Sequence, residues 1–148
     1  LVEYQKGERR HPSMQAVAVS LTEQNIADLA AYYSQLGMSA SATVPDAPPA
    51  PPPKVAALLE KGGCVACHGE NFNKPIDPGY PKLAGQHSDY LYAALKEYQT
   101  KNNVRIGRDN AVMVGMAAPF SHAELKLLAK YIGSLPGDVK TVPESRFR

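Results

Sequence analysis

Cys64-Val65-Ala66-Cys67-His68 is the stretch of this 148-residue chain whose residue types and spacing best suit chemistry, and it holds both of the chain's cysteines. Two thiols three positions apart can reach the two vinyl groups along one edge of a porphyrin and form thioethers. The adjacent imidazole of His68 then comes under the iron as an axial ligand, so C-x-x-C-H reads as c-type haem attachment. A thioredoxin-like redox pair shares the C-x-x-C but needs a βαβ context that the chain does not suggest. A zinc site needs a second ligand pair, and no H-x-x-x-H or further C-x-x-C follows. A simple disulfide stays open on spacing alone. An electron-carrying haem also needs a sixth ligand, and a thioether there raises its potential. Met113 and Met116 both precede the last helical segment and are the candidates.

The elements that must position these residues read as helices. Lys54–Gly62 is expected to be a short helix stopped by Gly62-Gly63. Ser88 is suited to cap a helix that carries Leu91, Ala94, Leu95 and Tyr98 on one face. Ser121 and Glu124 form a capping box for a helix striped with Leu125, Leu128, Ala129, Ile132 and Leu135, which Pro136-Gly137 stops. Segments 69–86 and 101–120, rich in Gly, Pro and Asn, read as long loops. Three helices joined by such loops make a poor core on their own. Something other than side chains is expected at the centre.

Composition bounds the rest. With 44% hydrophobic residues the chain can build a packed core, which excludes wholesale disorder. No run of about 18 apolar residues exists, so no transmembrane helix is expected. A net charge of +2 gives no electrostatic case for nucleic acid. The chain starts at Leu1 with no signal-peptide pattern, as expected of a processed product or of a chain beginning mid-domain. Pro45–Pro53 holds six prolines and reads as a semi-rigid spacer.

The piece before the spacer repeats the end of the piece after it. Arg9–Leu36 aligns without gaps to Arg108–Leu135 with seven identities: Arg9/Arg108, Met14/Met113, Ala18/Ala117, Leu29/Leu128, Ala30/Ala129, Tyr32/Tyr131 and Leu36/Leu135. Thr22 and Ser121 both fall at helix N-caps, and Glu3-Tyr4-Gln5 recurs as Glu97-Tyr98-Gln99. Residues 1–36 are therefore expected to be the C-terminal part of a preceding domain, 37–53 a linker, 54–136 a complete domain and 137–148 a tail. The repeat also selects between the methionines, because Met113 aligns with Met14 and Met116 with Val17. Met116 is then a packing residue.

With CVACHG, YPKLAGQ (80–86) and AVMVGMAAPFSHAELKLLAKYIGSL (111–135), the chain resembles the class I c-type cytochromes, in particular the bacterial diheme cytochromes c built from two tandem copies. The resemblance implies an all-α class I cytochrome c fold whose long loops wrap a haem c held by Cys64 and Cys67, with His68 and Met113 as axial iron ligands. It implies that the Pro81 carbonyl accepts the second ring N–H of His68, and that Tyr131 packs where the last helix crosses the first near Ala56 and Ala57. Tyr98, Arg105 and Arg108 are candidates to meet a haem propionate; a surface role, or core packing for Tyr98, stands beside that reading. Met14 would ligate a second haem attached outside this chain, so one covalent haem is expected here. His11, His87 and His122 are expected to be exposed or capping. The implied function is periplasmic single-electron transfer to and from redox partner proteins, a donor dehydrogenase or an acceptor oxidase or reductase. Lys61, Lys74 and Lys82 are candidates to dock those partners, and residues 1–36 to mediate association. The alternatives are an electron-transfer module of a multihaem oxidoreductase and a haem-based ligand sensor.

Overall fold

Caps and prolines set where the helices begin in the computed structural model, which describes residues 1–35 and 47–138. Leu36, most of the expected linker and the end of the expected tail lie outside the described residues. In chain order the elements are α1 (Val2–Lys6), β1 (Arg9–Arg10), α2 (Pro12–Val19), α3 (Glu23–Gln35), α4 (Pro53–Gly62), α5 (Val65–His68), α6 (Ser88–Gln99), β2 (Gly107–Arg108), α7 (Ala111–Ala117) and α8 (His122–Ser134). They divide into two compact units, residues 1–35 with 94–120 and residues 47–93 with 121–138.

The second unit is built on α4 against α8. Proline at the first position of α4 fixes a helical φ without losing a needed donor, and Gly63 in the left-handed region (φ 55°) ends the helix. The expected capping box opens α8: Ser121 Oγ accepts the Glu124 amide, and the Glu124 carboxylate accepts the Ser121 amide at 2.7 Å. Val55, Leu58 and Leu59 of α4 and Leu125, Leu128, Ala129 and Ile132 of α8 are buried, as their helical spacing requires. Gly133 lets the backbone of residues 86–88 lie directly on α8, since a Cβ there would come within 2.7 Å of the Gln86 carbonyl oxygen. Tyr131 donates its hydroxyl to the Pro49 carbonyl (2.9 Å), a contact with the proline-rich segment that spacing alone did not suggest.

The first unit contains an element pair with no alternating pattern to announce it. Strands β1 and β2 pair antiparallel, Arg9 with Arg108 and Arg10 with Gly107, and the Asp109 amide donates to the Glu8 carbonyl at 2.7 Å. Residues matched by the sequence repeat make matching bonds. Gln5 Nε2 donates to the carbonyls of Ala18 (2.8 Å) and Leu21 (2.9 Å). Gln99 Nε2 donates to those of Ala117 (2.8 Å) and Phe120 (2.7 Å). The Arg9 guanidinium lies 4.9 Å from the Tyr4 ring centre, and that of Arg108 lies 5.6 Å from Tyr98. Thr22 Oγ1 accepts the Asn25 amide while Asn25 Oδ1 accepts that of Thr22, a reciprocal cap on α3.

Two expectations about the loops are corrected. Segment 101–120 is no continuous loop, because β2 and α7 lie within it. Asn110 nucleates α7 by accepting the Met113 amide on its side chain (3.1 Å), which outweighs the β-branched residues and Gly115 that follow. Helix α6 begins at Ser88 itself, so that serine stands in the first turn rather than capping it.

Candidate haem-attachment site

Cys64 immediately precedes α5, and the turn it opens is closed by the His68 amide donating to the Cys64 carbonyl (3.2 Å). Both cysteines are partly buried and unpaired, so the disulfide left open by spacing is absent. Burial raises the Cys64 thiol above its ordinary pKa, opposed by a smaller backbone hydrogen bond. No group of three or more His, Cys, Asp or Glu side chains suited to a metal ion occurs among the described residues.

His68 is 7% exposed, and its Nδ1 lies 3.0 Å from the Pro81 carbonyl oxygen. A carbonyl only accepts, so the proton sits on Nδ1 and the Nε2 lone pair is left available. That tautomer is the one in which an imidazole ligates a metal, with its orientation fixed from behind. The Tyr80 ring meets the imidazole edge-on, centroids 6.2 Å apart.

The acceptor is delivered by the backbone of segment 69–86. Gly69 adopts φ 80° and ψ 158°, and a Cβ there would come within 2.1 Å of the Lys74 carbonyl oxygen. Phe72, 1% exposed, also has positive φ (54°). Its carbonyl accepts the amides of Leu83 (2.8 Å) and Ala84 (3.0 Å), two and three residues after Pro81. Ile76 donates its amide to the Cys67 carbonyl (3.1 Å), tying the same segment to the motif. Asn71 Oδ1 accepts the amides of Asn73 and Lys74, both at 3.0 Å. The buried Asn71 side chain thus supplies hydrogen bonds that this irregular backbone would otherwise lack.

The other sequence candidates lie as follows. Met113 and Met14 are each the third residue of their helix, α7 and α2, and each is partly buried. Met116 is 46% exposed, so the packing role expected for it is corrected. Arg108 donates from Nε to Glu97 (2.7 Å) beneath its contact with Tyr98, whereas Arg105 is exposed. Tyr98 borders an open cavity of about 420 Å³ together with Arg10 and Lys101. Lys61 lies 3.7 Å from Glu124 and Lys82 2.7 Å from Asp138, so two of the three lysines expected to dock partners already face carboxylates. His11, His87 and His122 are exposed, and His11 precedes α2 without a side-chain cap bond. Sequence reasoning missed Gln5 and Gln99 as anchors; their recurrence in the repeated Glu-Tyr-Gln was the available signal.

Unpaired thiols at the right spacing and a histidine held with Nε2 available fit a covalently attached haem. Comparison with known proteins agrees. The cytochrome c family profile matches residues 54–136, more than half of the chain. Cytochrome c4 of Stutzerimonas stutzeri is 33% identical over 123 residues, covering 78% of this chain and 56% of that protein. Cytochrome c4 of Thiocapsa roseopersicina is 30% identical over 142 residues, covering 88% and 69% respectively. The thiosulfate dehydrogenase electron acceptor of Thiomonas intermedia (strain K12) is 38% identical over 94 residues, covering 64% and 41%. The chain thus spans only part of the length of these relatives. On the family match and the attachment motif together, the chain belongs to the class I c-type cytochromes, with Cys64 and Cys67 in its haem c motif.

Proposed function

We propose that the chain carries single electrons through a haem c bound by Cys64 and Cys67 and ligated by His68 and Met113. When bound, the haem supplies the iron that alternates between its ferric and ferrous states. The observation that carries the reading is the His68–Pro81 hydrogen bond, which holds the imidazole in its ligating tautomer within a buried site. The α5 turn holds the two thiols beside that imidazole, and the Asn110 cap fixes the start of the helix that bears Met113. His68 and Met113 would both be given to the iron, and the part of the chain's own residues would be rigid ligation and exclusion of water. Arg105, Arg108 and Tyr98 are the proposed propionate neighbours.

Residues 1–36 are the tail of a preceding copy in this reading, 37–53 the linker, 54–136 the complete domain and 137–148 the tail. In its support, α3 leaves Leu29 and Tyr32 exposed at 37% and 61%, while Leu128, the counterpart of Leu29 in α8, is 3% exposed. Met14 is then the axial ligand of a second haem carried by the rest of that copy. The proposed setting is periplasmic; no described helix is long and apolar enough to cross a membrane. A relative named as an electron acceptor of thiosulfate dehydrogenase supports a dehydrogenase as donor; an oxidase or reductase is the proposed acceptor, and Lys61, Lys74 and Lys82 are the proposed docking residues.

Intact mass and a haem-stained gel test the attachment, with one covalent haem expected for this chain and none in Cys64→Ala/Cys67→Ala. The ligand set is tested by the sulfur-to-iron charge-transfer band of the oxidised protein. It should vanish in Met113→Ala and persist in Met116→Ala, and the absorption spectrum of the reduced wild type should not change on adding carbon monoxide. Carbon monoxide binding to the reduced wild type would instead favour a ligand sensor.

A further inference from the structure

In the first unit the repeat pairs with itself. Arg9 of β1 faces Arg108 of β2, which is its own counterpart in the aligned sequence, and the strands run antiparallel. An antiparallel pairing centred on equivalent residues is a local two-fold relation. The anchors obey it: Gln5 holds Ala18 and Leu21, and Gln99 holds their counterparts Ala117 and Phe120.

A two-fold relation between similar segments raises a problem of partner choice, because the same geometry would let either segment pair with a second copy of itself. One position breaks the degeneracy. The counterpart of Arg10 is Asp109, and these two side chains meet: Arg10 donates through both terminal nitrogens to the two carboxylate oxygens of Asp109, one at 3.0 Å. The Arg10 side chain is 15% exposed and that of Asp109 48%, so the pair is partly withdrawn from water on the arginine side. The fit also needs Gly107, since a Cβ there would come within 2.2 Å of an Arg10 terminal nitrogen. Like-with-like pairing in this geometry would bring Arg10 against a second Arg10, or Asp109 against a second Asp109. Like charges held together in this way are costly and suppress the wrong partner.

We propose that the Arg10–Asp109 pair makes this face an interface that selects the unlike segment: residues 1–35 fit residues 94–120 and reject a second copy of their own kind. The face is thereby reserved for the chain's own other segment, with the backbone pairing of β1 and β2 giving adhesion and the ion pair giving choice.

Charge reversal of the full haem-loaded chain tests this by hydrogen exchange across residues 1–35 and by native mass spectrometry. R10D and D109R should each speed exchange at least tenfold, and the swap R10D/D109R should return it to near wild type. An equimolar mixture of R10D and D109R chains should form a particle of two chains, because exchanging residues 1–35 restores an Arg–Asp pair at both interfaces. Unchanged exchange in the single reversals would overturn the proposal, as would failure of the swap to recover. Recovery by the swap without a two-chain particle in the mixture would show that the pair adds adhesion but makes no choice, which also overturns it.

Discussion

Replacing Gln99 by alanine should do more harm than replacing its counterpart Gln5. Gln99 Nε2 closes two carbonyls, those of Ala117 and Phe120, on residues that are 2% and 6% exposed. A neutral hydrogen bond contributes about 0.5–1.5 kcal/mol net, and an acceptor left unpaired out of water costs about 1–3 kcal/mol. The Ala117 carbonyl still accepts the Phe120 amide (3.2 Å), so Q99A loses two hydrogen bonds where water reaches poorly, at a cost of about 1–3 kcal/mol. Gln5 closes Ala18, 0% exposed, and Leu21 in an exposed bond, so water can replace one of the two. Q5A, which also leaves the Ala18 carbonyl its bond from the Leu21 amide (3.1 Å), should therefore lose about 0.5–1.5 kcal/mol. Guanidinium unfolding followed by far-ultraviolet circular dichroism gives both values, with an unchanged slope identifying a pure stability effect. The change also reaches the proposed ligand, since Gln99 binds the C-terminal end of the helix whose third residue is Met113. The sulfur-to-iron band should therefore weaken in Q99A and hold in Q5A. A loss below about 0.5 kcal/mol for Q99A, or a larger loss for Q5A, would refute the reasoning.

Five further outcomes follow from individual positions. S121A should lose about 1 kcal/mol by removing the α8 cap, read from the urea midpoint. Glu124 is held below its ordinary 4.5, first by the Ser121 amide, then by the Ser121 hydroxyl and Lys61. A depressed carboxylate adds stability that is present above 4.5 and lost as pH falls through its lower folded value, so Glu124→Gln should flatten the acid side of the stability profile. G69A should cost more than about 3 kcal/mol, because its backbone region is nearly closed to side chains and the Lys74 carbonyl fills the space. G115A, with nothing within 4 Å, should instead stabilise α7 by about 0.5–1 kcal/mol, and thermal melts of the two variants separate these signs. Y131F should lose about 0.5–1 kcal/mol with the exposed bond to Pro49, measured by the same melts.

Local signals were readable and distant ones were not. The Ser121–Glu124 box, the α4 and α8 stripes and C-x-x-C-H each lie within a few residues, where spacing fixes geometry. Helix α7 escaped notice because AVMVGMA has weak intrinsic preference and its cap, Asn110, looks like one more loop residue. Met116 looked like a core residue because apolar character does not reveal direction on a short helix; it is 46% exposed. The β1–β2 pair was invisible, since two residues per strand carry no period. Yet the repeat that aligned Arg9 with Arg108 had already matched the two residues that face each other.

The acceptor behind His68 is a main-chain oxygen, and that has a consequence for how substitutions will be tolerated. No codon change removes a carbonyl, so a scan of side chains will pass through Pro81 without deleting the hydrogen bond it makes. The vulnerability moves elsewhere in the same segment, to positions that touch neither imidazole nor thiol. The Phe72 carbonyl that holds the amides following Pro81 is aimed by a buried side chain and a positive φ, and Gly69 permits the turn that brings Phe72 inward. Drift in sequence can therefore be free at the residue that makes the contact and strict at the residues that aim it.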